Sequence, residues 1–273
     1  MSPNLTLNNG VEIPQLGYGV FKIPPDDTRK VVLAALDAGY RHVDTARLYR
    51  NETGVGEAVR ESGLDRDEVF VTSKVWNDDH GYDSALRAFD ATTDRLGFDV
   101  LDLYLIHWPV PTKDLYVETW TALERLYADG RVRAIGVSNF QPEHLRRLLD
   151  KCDVVPVVNQ VELHPYLQQA DLRRTHDELG VVTEAWAPIA RGGELLQDDV
   201  VAGLADKHGR TPAQVVLRWH VQLGNVVIPK SVTPARIREN LDVFGFELDE
   251  DDMAAIADLD RGGRTGAHPD SVS

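Results

Sequence analysis

Four residues in the first half of the chain, Asp44, Tyr49, Lys74 and His107, are of the types that can share one proton-transfer task. A phenol with an ordinary pKa of about 10 is a poor proton donor-acceptor at neutral pH unless its surroundings help it. A nearby ammonium favours the phenolate and lowers that value, so Lys74 is expected to tune Tyr49 while Asp44 keeps Lys74 charged and oriented. His107 is then free to hydrogen-bond the oxygen that takes part in the transfer. Each residue also has a plainer reading: Asp44 and Lys74 as a structural ion pair, His107 as a satisfied core histidine, Tyr49 as a loop anchor.

A second group lies near the other end, Lys230-Ser231-Val232-Thr233-Pro234-Ala235-Arg236-Ile237-Arg238-Glu239-Asn240. Three basic residues face one acid there, inside a chain whose net charge is −15. Ser231 and Thr233 are donors, and Thr233-Pro234 can open a helix whose N-terminus attracts phosphate. The plainer reading is a capped helix with basic residues on its wet side. Two further motifs carry no chemistry. Tyr18-x-x-x-Lys22 needs both side chains on one helix face, which Pro14, Gly17, Gly19 and Pro24 deny. Gly54-x-Gly56 lacks a third glycine and does not follow a strand, so it is no dinucleotide fingerprint.

The elements that must position these groups follow a repeating plan. Short β-branched apolar runs occur at 15–21, 41–44, 69–72, 100–106, 133–137, 154–161, 180–183 and 226–229. Between them lie helical patterns, for example 28–38, 82–96, 117–128, 167–179 and 213–223. Such alternation predicts a parallel sheet with both faces covered. Eight units over this length predict one (β/α)8 TIM barrel, α/β in class and a single domain over 1–273. Residues 4–13, turning at Asn9-Gly10, read as an N-terminal β-hairpin, and 234–244 and 249–259 read as extra C-terminal helices. Seven consecutive runs lead into groups suited to recognition: Asp44, Lys74, His107, Ser138-Asn139, Gln160, Trp186 and Lys230. In a (β/α)8 barrel those ends converge on one face, and phosphate commonly binds after the last strands.

Composition narrows the class. The 273 residues, 42% hydrophobic, are enough for a sizeable core, and Cys152, the one cysteine, excludes an intrachain disulfide framework. Without Cys/His ligand spacing no metal site is expected; a metal-dependent barrel hydrolase on Asp44, His107, Glu162 and His164 would place Lys74 against the ion. The acidic balance argues against nucleic acid and anionic membranes as partners. With no basic n-region, apolar leader or membrane-spanning run, the expected location is cytoplasmic.

The chain resembles the aldo-keto reductase family over essentially its whole length. The resemblance rests on Gly39-Tyr40-Arg41-His42-Val43-Asp44-Thr45-Ala46, Tyr49 with Asn51-Glu52, and Val71-Thr72-Ser73-Lys74. It continues through Leu103-Tyr104-Leu105-Ile106-His107-Trp108-Pro109, Ile135-Gly136-Val137-Ser138-Asn139-Phe140, Asn159-Gln160-Val161-Glu162 and Ile228-Pro229-Lys230-Ser231. The short chain and the ending Gly262-Gly263-Arg264-Thr265-Gly266-Ala267-His268-Pro269-Asp270 are most similar to the bacterial 2,5-diketo-D-gluconate reductase group.

The resemblance implies a catalytic tetrad of Asp44, Tyr49, Lys74 and His107, with Tyr49 as general acid in reduction. It implies NADPH (NADP+) across the barrel mouth, its carboxamide held by Ser138, Asn139 and Gln160 and its nicotinamide stacked on Trp186. Lys230, Ser231 and Arg236 would grip the adenosine 2′-phosphate, Val232 and Thr233 would also contact the cofactor, and Glu239 and Asn240 would lie near the adenine. Phe21, Trp76, His107, Trp108 and Asn139 would line a pocket for a small carbonyl substrate, and the tail would close its rim. A monomer suffices for all of this. Arg50 and Ala187 depart from the family pattern, which commonly has glycine and serine there. The competing reading is an NADPH-binding sensor or structural protein on the same fold, without significant turnover.

Overall fold

A computed structural model of the chain describes residues 2–273. A hairpin, β1 (Asn4–Thr6) and β2 (Glu12–Pro14), comes first, turning where Gly10 takes a φ of 83°. Eight parallel strands then follow: β3 (Tyr18–Gly19), β4 (His42–Asp44), β5 (Phe70–Val75), β6 (Leu101–Ile106), β7 (Val132–Ser138), β8 (Val158–Glu162), β9 (Val182–Trp186) and β10 (Val226–Val227). They neighbour one another in chain order. The first and last also meet: Gly17 N donates to Val227 O at 2.8 Å, Val227 N to Gln15 O at 2.9 Å and Gly19 N to Pro229 O at 3.1 Å. The sheet is therefore a closed barrel, and closure removes the unpaired edges an open sheet would expose.

Helices α1 (Pro25–Ala38), α2 (Glu52–Glu61), α3 (Tyr82–Leu96), α4 (Tyr116–Ala128), α5 (Pro142–Leu149), α6 (Ala170–Leu179), α7 (Asp199–His208), α8 (Pro212–Gln222), α9 (Pro234–Leu241) and α10 (Glu250–Ala257) surround it. Two apolar layers result. Leu103, Leu105, Ala134, Val158 and Val226 fill the barrel floor with Leu7 and Ile13 of the hairpin. A larger layer, with Trp120, Trp219, Tyr104 and Ile106, lies between strands and helices. The hairpin thus closes the N-terminal end, leaving chemistry to the C-terminal mouth. No helix among the described residues is long and apolar enough to cross a membrane.

The expected (β/α)8 barrel, hairpin and extra helices are all present, with shifted boundaries that have local causes. The run at 154–161 yields a strand only from Val158, because Pro156 has no N–H to give and Val154 is occupied: its N donates to Glu124 and its O accepts from Trp120. The run at 180–183 moves to Val182–Trp186, because Gly180 ends α6 in the left-handed conformation at φ 67°. Tyr18 is in a strand and buried, so the Tyr18/Lys22 pair does not share a helix face.

Gly54 and Gly56 lie inside α2, where they serve packing. A Cβ on Gly56 would come within 1.9 Å of Leu96 O at the end of α3, whereas one on Gly203 of α7 would meet nothing within 4 Å. Gly56→Ala is therefore expected to lower stability by about 2 kcal/mol or more through overpacking. Gly203→Ala, an interior helical glycine with room, is expected to raise it by roughly 0.5–1 kcal/mol. Urea unfolding of both variants checks the pair; equal effects would contradict this packing.

Candidate active site

The sequence-predicted set converges at the mouth because each member closes or follows a strand. Asp44 ends β4, Lys74 is the fifth residue of β5, and His107 directly follows β6. Tyr49 ends a single 3-10 turn between β4 and α2. Lys74 is fully buried, and its Nζ reaches Asp44 Oδ1 at 2.8 Å, Asp44 Oδ2 at 2.6 Å and Thr45 O at 2.9 Å. Three acceptors match the three ammonium hydrogens, which is what a buried lysine needs to remain charged. Asp44 Oδ2 also accepts from Gln160 Nε2 at 2.8 Å.

Tyr49 leans over this pair, with Lys74 Nζ 5.3 Å from its ring centroid and the His107 ring centroid at 5.8 Å. The expected lowering of the phenol's pKa by Lys74 is not what the structure shows. Burial, reinforced by the carboxyls of Asp44 and Glu184, pushes Tyr49 well above its ordinary value. The physical reason is that the ammonium is matched by Asp44, so little positive charge remains to favour a phenolate. Tyr49 is a neutral phenol at physiological pH, a proton donor. His107 is held well below the ordinary histidine value by burial and by Lys74, so its imidazole is neutral as well.

Aromatic walls surround these groups. Phe21, about half exposed, lies 4.9 Å from Tyr49; Trp76 meets His107 edge-on at 5.1 Å; Trp108 stacks over His107 at 6.5 Å. Across the mouth, Ser138 Oγ donates to Gln160 O at 2.8 Å, and Asn139 Nδ2 donates to His107 O at 2.9 Å and Ser138 Oγ at 3.1 Å. Asn139 Oδ1 accepts from Trp186 Nε1 at 2.8 Å, which fixes the indole plane. Ser138, Asn139, Gln160 and Trp186 thus form one network contiguous with the tetrad.

The basic group forms a separate patch after β10. Lys230, Thr233 and Arg236 are exposed, as are Val232 at 50% and Arg238. Ser231 O accepts from the Tyr18 hydroxyl at 2.5 Å, tying the loop to β3, and Ser231 Oγ accepts from Thr233 N at 3.2 Å. Asn240 is buried, and Glu239 accepts from Thr211 Oγ1 at 2.8 Å.

Two features were not legible as site elements. Glu162, fully buried at the end of β8, accepts from Thr265 N at 2.6 Å, Thr265 Oγ1 at 2.5 Å, Gly266 N at 3.0 Å and His164 Nε2 at 3.2 Å. A Cβ on Gly266 would fall 2.5 Å from the Trp186 ring. The tail is therefore strapped over the mouth against Trp186. Its motif was visible in the sequence, but its anchor was not. The second is Glu184 on β9, fully buried with neither carboxylate oxygen in a hydrogen bond. The departures Arg50 and Ala187 both stand in the left-handed region, at φ 57° and 48°, a conformation easiest for glycine.

Asp44, His107, Glu162 and His164 do not gather around one point, since Asp44 is bound to Lys74 and Glu162 to His164 and the tail. Among the described residues, one trio brings metal-ligand types together, Glu143, His144 and Asp270. There His144 Nδ1 accepts from Gln141 N at 3.1 Å, so the neutral ring carries its proton on Nε2, which faces Asp270 Oδ1 at 3.6 Å. It offers a donor where a ligand needs a lone pair.

With this geometry in place, comparison with known proteins is decisive. The family model described as "Aldo/keto reductase family" matches residues 15–261. The chain belongs to the aldo/keto reductase family. An aldo-keto reductase of Mycobacterium sp. (strain KMS) is 57% identical over 268 residues, covering 98% of this chain and 97% of the relative. Glyoxal reductase of Bacillus subtilis is 50% identical, covering 100% and 98%. A mutant of Gox0644 solved in complex with NADPH superposes with a TM-score of 0.96 at 52% identity, covering 100% of this chain and 99% of the other.

The strap yields a direct expectation. Burial alone would raise the Glu162 carboxyl, but hydrogen bonds from His164, Thr265 and Gly266 outweigh it and hold it at about 2. A folded-state value below the unfolded one means the anchor contributes fully above pH of about 4.5 and is lost as pH falls toward about 2. Glu162→Gln removes the charge-assisted part of these bonds, worth about 1.5–3 kcal/mol. The Thr265 and Gly266 amides are then expected to exchange with deuterium at least about tenfold faster. Unchanged exchange would mean that the tail is held by other contacts.

Proposed function

We propose that this aldo/keto reductase is an NADPH-dependent oxidoreductase that reduces small aldehydes, ketones or keto-sugar acids to alcohols, with Tyr49 as general acid. The observation that carries the reading is a neutral phenol and a neutral imidazole facing one aromatic-walled mouth above a buried, fully satisfied Asp44–Lys74 pair.

The residues present fit the dinucleotide. Lys230, Arg236 and Arg238 form no ion pair within 4.0 Å among the described residues, although the chain carries 44 acidic residues. The Thr233 side chain leaves the first N–H groups of α9 uncapped. Unpaired cations beside free amide donors suit a phosphate, and an Arg fork discriminates for the additional 2′-phosphate of NADPH over NADH. Ser138, Asn139 and Gln160 would hold the carboxamide, Trp186 offers a ring face oriented by Asn139, and Asn240, with Glu239 beside it, would stand near the adenine. The bound nucleotide supplies the hydride.

The protein supplies the proton and the geometry. His107 donates a hydrogen bond to the substrate oxygen and aims it at the Tyr49 hydroxyl. As negative charge grows on that oxygen, it becomes a stronger base than a phenolate, so proton transfer from Tyr49 runs downhill. The departing proton leaves a phenolate over Lys74, whose ammonium Asp44 keeps charged and fixed. Phe21, Trp76, Trp108 and Asn139 bound the space for the carbonyl compound, and apolar walls with few polar groups suit a small substrate.

The glyoxal reductase relative supports a small dicarbonyl among the substrates. We further read 1–273 as one domain working as a cytoplasmic monomer, without nucleic-acid or membrane partners; the net charge of −15 supports the last point.

NADPH oxidation with glyoxal, methylglyoxal or 2,5-diketo-D-gluconate, repeated with NADH, tests the reading. Tyr49→Phe is expected to lower kcat by about a hundredfold or more while NADPH fluorescence titration gives a nearly unchanged Kd. A variant as active as the parent would remove Tyr49 from the role. Arg236→Ala is expected to weaken NADPH by about ten- to a hundredfold and leave NADH almost untouched. Equal losses for both nucleotides would place the phosphate elsewhere.

A further inference from the structure

Glu184 is a buried carboxyl that the mechanism above does not use. It lies in β9 beside Gln160 of β8 in strand register, with Val226 of β10 on its other side. The titratable groups facing it are His42 and Asp44 from β4, Lys74 from β5 and Tyr49 from the turn after β4. From the flanking strands come only the Gln160 amide and apolar Val226.

The Gln160 amide and Lys74 favour its charged form, but neither does so enough to offset burial. The three hydrogens of Lys74 are taken by Asp44 and Thr45. His42 Nε2 is 3.9 Å from Glu184 Oε1 but lies 3.1 Å from Thr72 Oγ1, and burial holds that imidazole uncharged, down to about 3. An ionised carboxylate so placed would be an uncompensated charge within the barrel, which is costly. Burial first, then the neighbouring Asp44, raise Glu184 well above the ordinary carboxylate range against the opposing pull of the Gln160 amide and Lys74.

We propose that Glu184 is a positioning residue for proton transfer: in register with Gln160, whose side-chain amide holds Asp44 at 2.8 Å, it sets the net charge around the Asp44–Lys74 pair, and so the ease with which Tyr49 releases its proton. With its own proton in place, Glu184 leaves the Asp44–Lys74 pair electrically neutral. When Glu184 loses that proton to solvent at alkaline pH, a second negative charge opposes the phenolate and the donor weakens. This rests on the reductase reading, and a protein without turnover would fail at the parent enzyme, before any variant is compared.

Two measurements test it. The first is the pH profile of kcat for NADPH-dependent glyoxal reduction in the parent, Glu184→Gln and Glu184→Leu. Both variants lack the ionisable group, so the ratio of kcat at high pH to that at neutral pH is expected to exceed the parent's in each. The second needs neither cofactor nor turnover: NMR titration of ring-labelled tyrosine, with Tyr49→Phe assigning the signal. The Tyr49 ring signal is expected to shift as Glu184 titrates, at about 8, in the parent and to lose that step in Glu184→Gln. Superimposable pH profiles, a uniform loss across all pH, or a Tyr49 signal without that step in the parent would each overturn the proposal. Should one variant fail to fold, the other and the titration decide.

Discussion

The buried bond between Lys74 and Asp44 is the constraint around which this barrel is organised. An ammonium without water survives only with every hydrogen accepted, and here Asp44 and the Thr45 carbonyl accept all three. That requirement fixes the ends of β4 and β5 relative to each other, and Gln160 extends the same network to β8. Removing one partner from such a pair costs about 3–5 kcal/mol, because the other charge is left buried and uncompensated.

Those neighbours inherit their protonation from it. Tyr49 and His107 experience mainly burial, reinforced by Asp44 at the phenol and by Lys74 at the imidazole, and both stay uncharged. A neutral donor over a neutral ion pair delivers a proton only when charge develops opposite it, which ties acid catalysis to the reaction itself. The apolar floor made by the hairpin and the strap held by Glu162 close the two ends of this environment, so the low-dielectric surroundings follow directly from chain topology.

Much of this was legible beforehand. Alternating apolar runs and amphipathic helices specify the barrel, and the residues that end or directly follow the runs are polar and meet at the mouth, as with Asp44, His107 and Lys230. What stayed hidden depended on burial. Glu184 lies just past the run expected at 180–183 and on the way to Trp186; the strand continues to Trp186, and the side chain is carried into the interior. Glu162 enters the sequence analysis only within a motif and as one member of a metal-ligand set, because the partners that reveal its anchoring role are a hundred residues away in the tail. The direction of the Tyr49 shift has a related cause: sequence shows a lysine and an aspartate available to the phenol, not that the phenol is fully buried, which is what raises it most.

The most direct test of this account replaces the buried ammonium itself. Lys74→Met keeps much of the side chain's volume and removes its charge. Folding is checked by circular dichroism, NADPH binding by fluorescence and hydride transfer by single-turnover absorbance at ~340 nm. The account predicts a folded variant that binds NADPH yet transfers hydride to glyoxal at least about a hundredfold more slowly than the parent. A variant that folds, binds NADPH and turns over at the parent rate would show that the Asp44–Lys74 pair is structural only, and the account of the site would fall with it.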